Sequence, residues 1–350
     1  MKFIVRETKK LQGEVVIPGN KSGTARAIIL GSLSEGRTLV KKPLLNLDSF
    51  SIIDMFREIG AKIDTTNSQE WVIEGVGKDL KVPANVLDAG NSGTGYYMTS
   101  AVLSLIDGIS VIAGDYQICS RPAQPLIDAL NNLGAKVFST RDSGTAPLVI
   151  EGVIKGGEVE MPGTNSQWMT PLMIAGSLAS GDTKINISGP MHEIPYINMT
   201  MGMLKDVGVN IEHENHQKYY IKGNQKFRNI NFEIPGDWGT AGYPMIATAI
   251  TDSKVKFNNL DINTYAGETE FVNILEKFGA KVSVINEGEG GVIVEGGNEL
   301  EGKEIDCSGT PDAVPILAVL GCYAKGKTVL KNIKASRMKE TDRTTIIRKE

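Results

Sequence analysis

Lys21 lies in the stretch Pro18-Gly19-Asn20-Lys21-Ser22-Gly23-Thr24-Ala25-Arg26, where a lysine, a serine and, one helical turn on, an arginine follow a Pro/Gly turn. The alternating run Gly13-Glu14-Val15-Val16-Ile17 before it reads as a strand, and Ala27-Ile28-Ile29-Leu30-Gly31-Ser32-Leu33 after it as a helix. A helix start offers free backbone N–H groups, so cations placed there attract an anion. A solvated lysine at a helix start has the same local pattern. Four more polar clusters precede helix-like runs: Asn91-Ser92-Gly93-Thr94, Asn165-Ser166-Gln167, Asp237-Trp238-Gly239-Thr240 and Ser308-Gly309-Thr310-Pro311-Asp312. Ordinary N-capping by Ser, Thr, Asn and Asp accounts for part of this pattern. It does not require Lys21, Arg26, Arg121, Lys339 and Arg343 at or near matching positions. A fold that aims several such helix starts at one region makes a strongly anion-attracting cleft.

With 350 residues, 41% of them hydrophobic, the chain can bury a large core, and two domains are expected. A net charge of −4 gives no general attraction to nucleic acid or an anionic membrane, so anion binding must be local. Cys119, Cys307 and Cys322 are scattered without metal-ligand spacing and fit a reducing compartment without disulfides. His192, His213 and His216 show no ligand or triad spacing. The start, Met1-Lys2-Phe3-Ile4-Val5-Arg6, carries charge where a signal peptide needs an apolar core, and no apolar run approaches membrane-spanning length. The expectation is a soluble cytoplasmic protein with no metal site and no membrane or nucleic-acid partner.

The elements that must position these clusters repeat. Ile59-Gly60-Ala61-Lys62-Ile63 leads to Trp71-Val72-Ile73-Glu74-Gly75, and the same pattern returns at Leu133–Val137 with Leu148–Gly152, Val207–Ile211 with Tyr219–Gly223, and Phe278–Val282 with Val292–Gly296. The glycines at 60, 134, 208 and 279 are spaced by 74, 74 and 71 residues. Each ends an amphipathic helix, since a residue free to adopt positive φ is the usual helix stop, and a hairpin follows. A second, apolar helix precedes each, over residues 22–33, 92–105, 166–180 and 239–250. The repeat is therefore strand, helix, strand, helix, strand, strand, an α/β class. A fifth copy starts near Glu304, with a helix over Asp312–Tyr323, a strand over 328–333 and a second helix opening at Lys339. By the interval its own Gly-Ala falls beyond residue 350, so the last units are expected to be missing.

These motifs resemble those of the enolpyruvyl transferases, and the resemblance runs over the whole chain. The Lys21 stretch is similar to the family's P-G-x-K-S-x-x-x-R, Asn91–Thr94 to G-N-x-G-T, Ser120-Arg121-Pro122 with Pro125-Leu126 to R-P-x-x-P-L, Asn165–Gln167 to S-S-Q, and Met338–Arg343 to K-E-[ST]-D-R. The family fold has six such repeats in two three-repeat domains, with the active site in the cleft between them. The resemblance implies a first domain of residues 1–18 and 236–350, incomplete at its end, and a second of residues 19–235.

The activity it implies is transfer of the carboxyvinyl group of phosphoenolpyruvate to the 5-hydroxyl of shikimate 3-phosphate, releasing phosphate, on the route to chorismate. Lys21, Asp312 and Glu340 would be catalytic. Lys21, Ser22, Arg26, Asn165, Ser166, Gln167, Tyr196, Asp312 and Lys339 would hold the acceptor. Lys21, Gly93, Thr94, Arg121, Gln167 and Arg343 would hold phosphoenolpyruvate. Asp237 matches the family's G-D segment, where a cap at the crossing is as good an account as catalysis. The chain departs from the pattern at Tyr97, where the family has arginine, at Asn165 and Ala335, and at Glu193, which replaces a serine on the acceptor's phosphate. A carboxylate about 4 Å from a phosphate costs roughly 4 kcal/mol per charge pair at an effective dielectric near 20. A different acceptor alcohol, or a ligand-binding protein without turnover, therefore stays open.

Overall fold

The computed structural model describes residues 4, 6–264, 269–288, 290–337 and 339–350. Met1, Lys2, Phe3 and Val5 of the chain start, and Met338 of the K-E-T-D-R segment, lie outside the described residues. The chain forms two compact lobes. Residues 19–234 make the central lobe, and residues 1–18 with 235–350 make the terminal lobe.

The repeat is present as expected, in four sheets of one topology. In each, the first strand runs parallel to the second, the second is antiparallel to the fourth, and the third and fourth form the hairpin. In the central lobe, Gly157–Pro162 lies beside Thr183–Ser188, which lies beside Lys218–Ile221, with Ile211–Glu214 outermost. Leu87–Asp88, Ile109–Ala113, Leu148–Glu151 and Lys136–Ser139 repeat the order. The strand Gln12–Val16, which directly precedes the Lys21 turn, pairs with Lys254–Asn258 in the terminal lobe. The sheet under the Lys21 helix instead receives its parallel strand from Phe227–Arg228 and Phe232–Glu233, both against Ser34–Lys41. In the fifth copy Glu304–Asp306 pairs in parallel with Val329–Lys331.

The helices are α1 (Lys21–Ser32), α2 (Leu47–Glu58), α3 (Gly93–Leu103), α4 (Gln124–Asn132), α5 (Ser166–Leu178), α6 (Ile194–Asp206), α7 (Trp238–Ala249), α8 (Glu270–Phe278), α9 (Val314–Tyr323) and α10 (Arg343–Lys349). The first helix of each central repeat is apolar or small on all sides because it is buried on all sides: ten residues of α1 and twelve of α5 are buried. The second helix buries a single stripe. In α2 that stripe is Ser49, Ile52, Ile53, Met55 and Phe56, the spacing of one helical face. Each fully buried Ile, Leu or Phe contributes about 1.5–3 kcal/mol relative to exposure. Gly60, Gly134, Gly208 and Gly279 all take left-handed φ, between +95° and +119°, and close α2, α4, α6 and α8.

The second glycine of each hairpin has a different cause. A Cβ at Gly75, Gly152, Gly223 or Gly296 would collide with a backbone carbonyl oxygen, of Gly31, Ile106, Gly181 and Thr251 respectively. These glycines let the hairpin end reach the backbone that follows or ends the first helix of its repeat.

Candidate active site

The helix starts are capped by the residues that the sequence clusters supply. Asn20 Oδ1 accepts from Gly23 N–H at 2.7 Å, Ser92 Oγ from Gly95 N–H at 3.1 Å, Asn165 Oδ1 from Gln167 N–H at 2.9 Å, and Asp237 Oδ1 from Thr240 N–H at 2.8 Å. Each cap satisfies one of the four unpaired N–H groups at a helix start and leaves others directed outward.

In the central lobe Gly93, Thr94, Arg121 and Gln167 come together. Gln167 Nε2 donates to Thr94 Oγ1 at 3.2 Å, which joins the start of α5 to that of α3. A Cβ on Gly93 would strike the Arg121 guanidinium and stand 3.5 Å from Gln167 Oε1. Arg121 is held from behind by the turn that carries it. Asp115 Oδ1 accepts from Gln117 N–H at 2.9 Å and Ile118 N–H at 3.0 Å, and Asn91 Nδ2 donates to Asp115 Oδ2 at 2.5 Å. Burial opposes the Asp115 charge, but the hydrogen bonds from Asn91, Ile118 and Gln117 outweigh it and hold the carboxyl below its ordinary range. The next carbonyl, of Pro122, accepts from Tyr97 Oη at 2.9 Å and Trp168 Nε1 at 3.0 Å. Tyr97 thus fixes the arginine loop from within the core, and burial pushes its hydroxyl up to about 12.

Lys21 extends from the start of α1 and pairs with Asp48 on α2 at 3.5 Å, a partner that the sequence patterns did not single out. Arg26, one turn further, is only 3% exposed. It donates from Nε to Thr200 Oγ1 at 2.8 Å, from Nη1 to the Ser22 carbonyl at 3.0 Å and from Nη2 to the Tyr196 carbonyl at 3.4 Å. The guanidinium joins α1 to α6 and sets Ser22 and Tyr196 beside each other. Burial lowers its pKa to about 10, and Tyr196 partly opposes that shift.

At the start of α5 the departure at Glu193 acquires a structure. Glu193 Oε2 accepts from both Ser166 N–H, at 3.0 Å, and Ser166 Oγ, at 2.8 Å. It is 4% exposed and adopts the left-handed conformation, φ 56° and ψ 32°.

The terminal lobe gathers Asp312, Lys339, Glu340 and Arg343. Arg343 Nη1 donates to Asp312 Oδ1 at 2.7 Å and Nη2 to Glu340 Oε2 at 2.6 Å, while Lys339 Nζ lies 3.5 Å from Asp312 Oδ1. Burial works against the Arg343 charge, but Asp312 and Glu340 outweigh it and raise its pKa. Asp312 sits in the 3-10 turn Pro311–Ala313 that leads into α9, so α9 opens two residues after it. Ser336, buried, donates to the Pro311 carbonyl at 2.7 Å and ties the segment before Lys339 to that turn. The second helix does not open at Lys339. It opens at Arg343, because Asp342 is the cap and accepts from Thr345 N–H, Thr344 Oγ1 and Thr345 Oγ1 at 3.0, 2.6 and 2.8 Å. Lys339 and Glu340 therefore stand on a bend, not on a helix face.

Among the described residues, no group of three or more His, Cys, Asp or Glu side chains could hold a metal ion, and no helix is long and apolar enough to cross a membrane.

A family model described as EPSP synthase (3-phosphoshikimate 1-carboxyvinyltransferase) matches residues 5–350. The 3-phosphoshikimate 1-carboxyvinyltransferase of Acetivibrio thermocellus is 40% identical over 338 residues, which cover 97% of this chain and 78% of that one. That of Methanococcus aeolicus is 37% identical over 355 residues, 99% and 81% of the two chains. The solved EPSP synthase of Acinetobacter baumannii matches with a TM-score of 0.84 at 30% identity, over 99% of this chain and 79% of that one. The chain belongs to the EPSP synthase family.

Proposed function

We propose that this chain transfers the carboxyvinyl group of phosphoenolpyruvate to the 5-hydroxyl of shikimate 3-phosphate, with loss of phosphate. The observation that carries the site assignment is the Asp312–Arg343–Glu340 group with Lys339 beside it, two carboxylates and two cations drawn together by one 3-10 turn and one capped bend. The chemistry needs that pairing. Addition requires a proton delivered to the methylene carbon of phosphoenolpyruvate and one removed from the acceptor hydroxyl, and elimination from the resulting ketal takes a proton from the new methyl group and delivers one to the departing phosphate. Asp312 and Glu340 supply the two carboxyl groups for these steps. Arg343 balances both and offers a fixed fork to a carboxylate or phosphate.

In the central lobe Arg121, Thr94, Gln167 and the backbone at Gly93 form the phosphoenolpyruvate set, supported by their convergence on one spot. Lys21 neutralises charge on the bridging oxygen and the departing phosphate. Lys21, Ser22, Tyr196, Asn165, Ser166 and Gln167 of the central lobe are assigned to the acceptor, as are Asp312 and Lys339 of the terminal lobe, and Arg26 serves the acceptor by positioning Ser22 and Tyr196. No step in this scheme calls for a metal or an organic cofactor. A cytoplasmic monomer that needs no cofactor remains part of the reading.

The test is phosphate release by the purified chain given both substrates, with the enolpyruvyl product identified by mass. Lys21→Ala is expected to lower kcat by about 10²–10⁴-fold. Absence of turnover in the unaltered chain, or full activity in the variant, overturns the reading.

A further inference from the structure

We infer that Glu193 sets this chain's affinity for its phosphorylated acceptor, because its carboxylate occupies the hydrogen-bond donors that the acceptor's phosphate requires. The inference rests on the reading of Asn165–Gln167 as the seat of that phosphate, and it names the residue that tunes the seat.

Ser166 is the first residue of α5, where backbone N–H groups and the helix dipole favour a negative charge. A single oxygen, Glu193 Oε2, takes both the backbone N–H and the hydroxyl of Ser166. That is the geometry an anionic oxygen adopts at a helix start, and here the anion belongs to the chain. The arrangement is costly to the backbone, since a residue with a Cβ is held at positive φ. Neighbouring hydrogen bonds hold it there. Tyr196 N–H donates to the Glu193 carbonyl at 3.0 Å, and His192 N–H to the Gly163 carbonyl at 2.7 Å. The Tyr196 carbonyl in turn accepts from Arg26 and from Thr200 Oγ1. These bonds tie down the backbone of this corner, and a turn of the Glu193 side chain is enough to take the carboxylate off Ser166.

Two anions cannot share these donors. The acceptor's phosphate must displace the carboxylate and then sit beside a second negative charge. Both effects act on acceptor binding. Gly93, Thr94 and Arg121 instead gather about the Gln167 side chain, whereas Glu193 Oε2 sits on Ser166. Glu193 is thus an intramolecular competitor for the acceptor and not for phosphoenolpyruvate.

The experiment compares the full chain with Glu193→Gln, which keeps the shape and an accepting oxygen without the charge, and Glu193→Ser, which removes the reach to Ser166. Binding of shikimate 3-phosphate is measured by calorimetry, the two KM values by phosphate release, and folding by thermal denaturation. Either folded variant is expected to bind the acceptor about tenfold or more tightly, with the KM for phosphoenolpyruvate within about twofold. Unchanged or weaker acceptor binding in a folded variant overturns the inference. If the unaltered chain turns over both substrates while acceptor binding ignores residue 193, the inference fails and the function stands. If the acceptor binds more tightly to the variants but no chain turns over, the function fails and the inference stands. If no chain binds the acceptor, both fall.

Discussion

Arg343 Nη1 donates to Asp312 Oδ1 at 2.7 Å, and the other nitrogen of the same guanidinium reaches Glu340. One planar fork therefore holds the two carboxylates proposed for proton transfer at a set separation, which a lysine ammonium, a single point of charge, cannot do. Arg343→Lys is expected to lower kcat by about 10²-fold or more while moving the melting temperature little, since all three side chains are partly exposed and such pairs contribute about 0–1 kcal/mol each. Asp312→Asn and Glu340→Gln should each lower kcat by about 10²–10⁴-fold. Steady-state phosphate release together with thermal melts separates these effects, and a loss of activity that tracks a loss of folding would contradict the assignment.

Gly93 tests the other lobe. A methyl group there meets the far end of the Arg121 side chain, so the arginine yields and the backbone does not. Gly93→Ala is expected to cost at most about 1 kcal/mol of stability, within the range of ordinary substitutions. It should raise the KM for phosphoenolpyruvate by about tenfold, the equivalent of about 1.4 kcal/mol. The KM for the acceptor should stay within about twofold. Equal effects on both substrates would place Arg121 elsewhere in the reaction.

The periodic part of this molecule was legible in its sequence because it is local. Gly60, Gly134, Gly208 and Gly279 mark helix ends by a backbone requirement that any one repeat expresses alone. The hairpins after them follow from alternation within a few residues. The exchange of first strands was not legible in the local pattern, because Gln12–Val16 reads the same whether it pairs beside α1 or with Lys254–Asn258, and only the family resemblance put residues 1–18 with 236–350. Nor was the role of Gly75 and its three equivalents, which answers to a carbonyl oxygen from elsewhere in the repeat. At the site, residue types were readable and partners were not. Lys21 was evident, whereas Asp48 looked like any acidic residue in a first helical turn. Asp342 stands within a charged string, yet its three threonine donors make it the cap, so the helix starts at Arg343 and not at Lys339. The pattern Asp-x-x-Thr at 342–345 was the available signal.

Asp342 also gives an acid-side prediction. Its carboxyl is held far below the ordinary value by Thr344 Oγ1 first, then by the backbone and side chain of Thr345, and by Arg337. A carboxyl with a depressed folded-state pKa contributes stability that is present above the unfolded value, about 3.9, and is lost as pH falls through the folded value. Helix α10 is therefore expected to keep its amide protection down to about pH 4 and to lose it progressively below. Asp342→Ala should remove that protection at every pH and reduce turnover with it, since Arg343 is the first residue of the helix. Hydrogen exchange over residues 346–349 is the measurement, and protection unchanged in the variant would show that the cap does not hold α10.

Arg26 makes the opposite prediction on the alkaline side. Its side chain is buried between α1 and α6 with its donors on Thr200, Ser22 and Tyr196, and burial brings its pKa down from the ordinary arginine value to about 10. Below about pH 10 both the folded and the unfolded chain hold this proton, so the group contributes a constant penalty offset by its hydrogen bonds. Above about pH 10, and up to the ordinary arginine value, the unfolded chain holds more protons than the folded one, so the contribution of this residue to stability rises with pH. Arg26→Met removes both the hydrogen bonds and the titration. It is expected to destabilise the fold by about 3 kcal/mol near neutral pH, the order of losing several hydrogen bonds to a charged donor. The gap between the unaltered chain and the variant should then widen as pH rises past 10. Denaturant unfolding of both proteins from pH 8 to about 11 measures that gap. A gap that stays constant or narrows would mean that Arg26 keeps its ordinary pKa, and that solvent reaches a side chain which the packing of α1 against α6 should exclude.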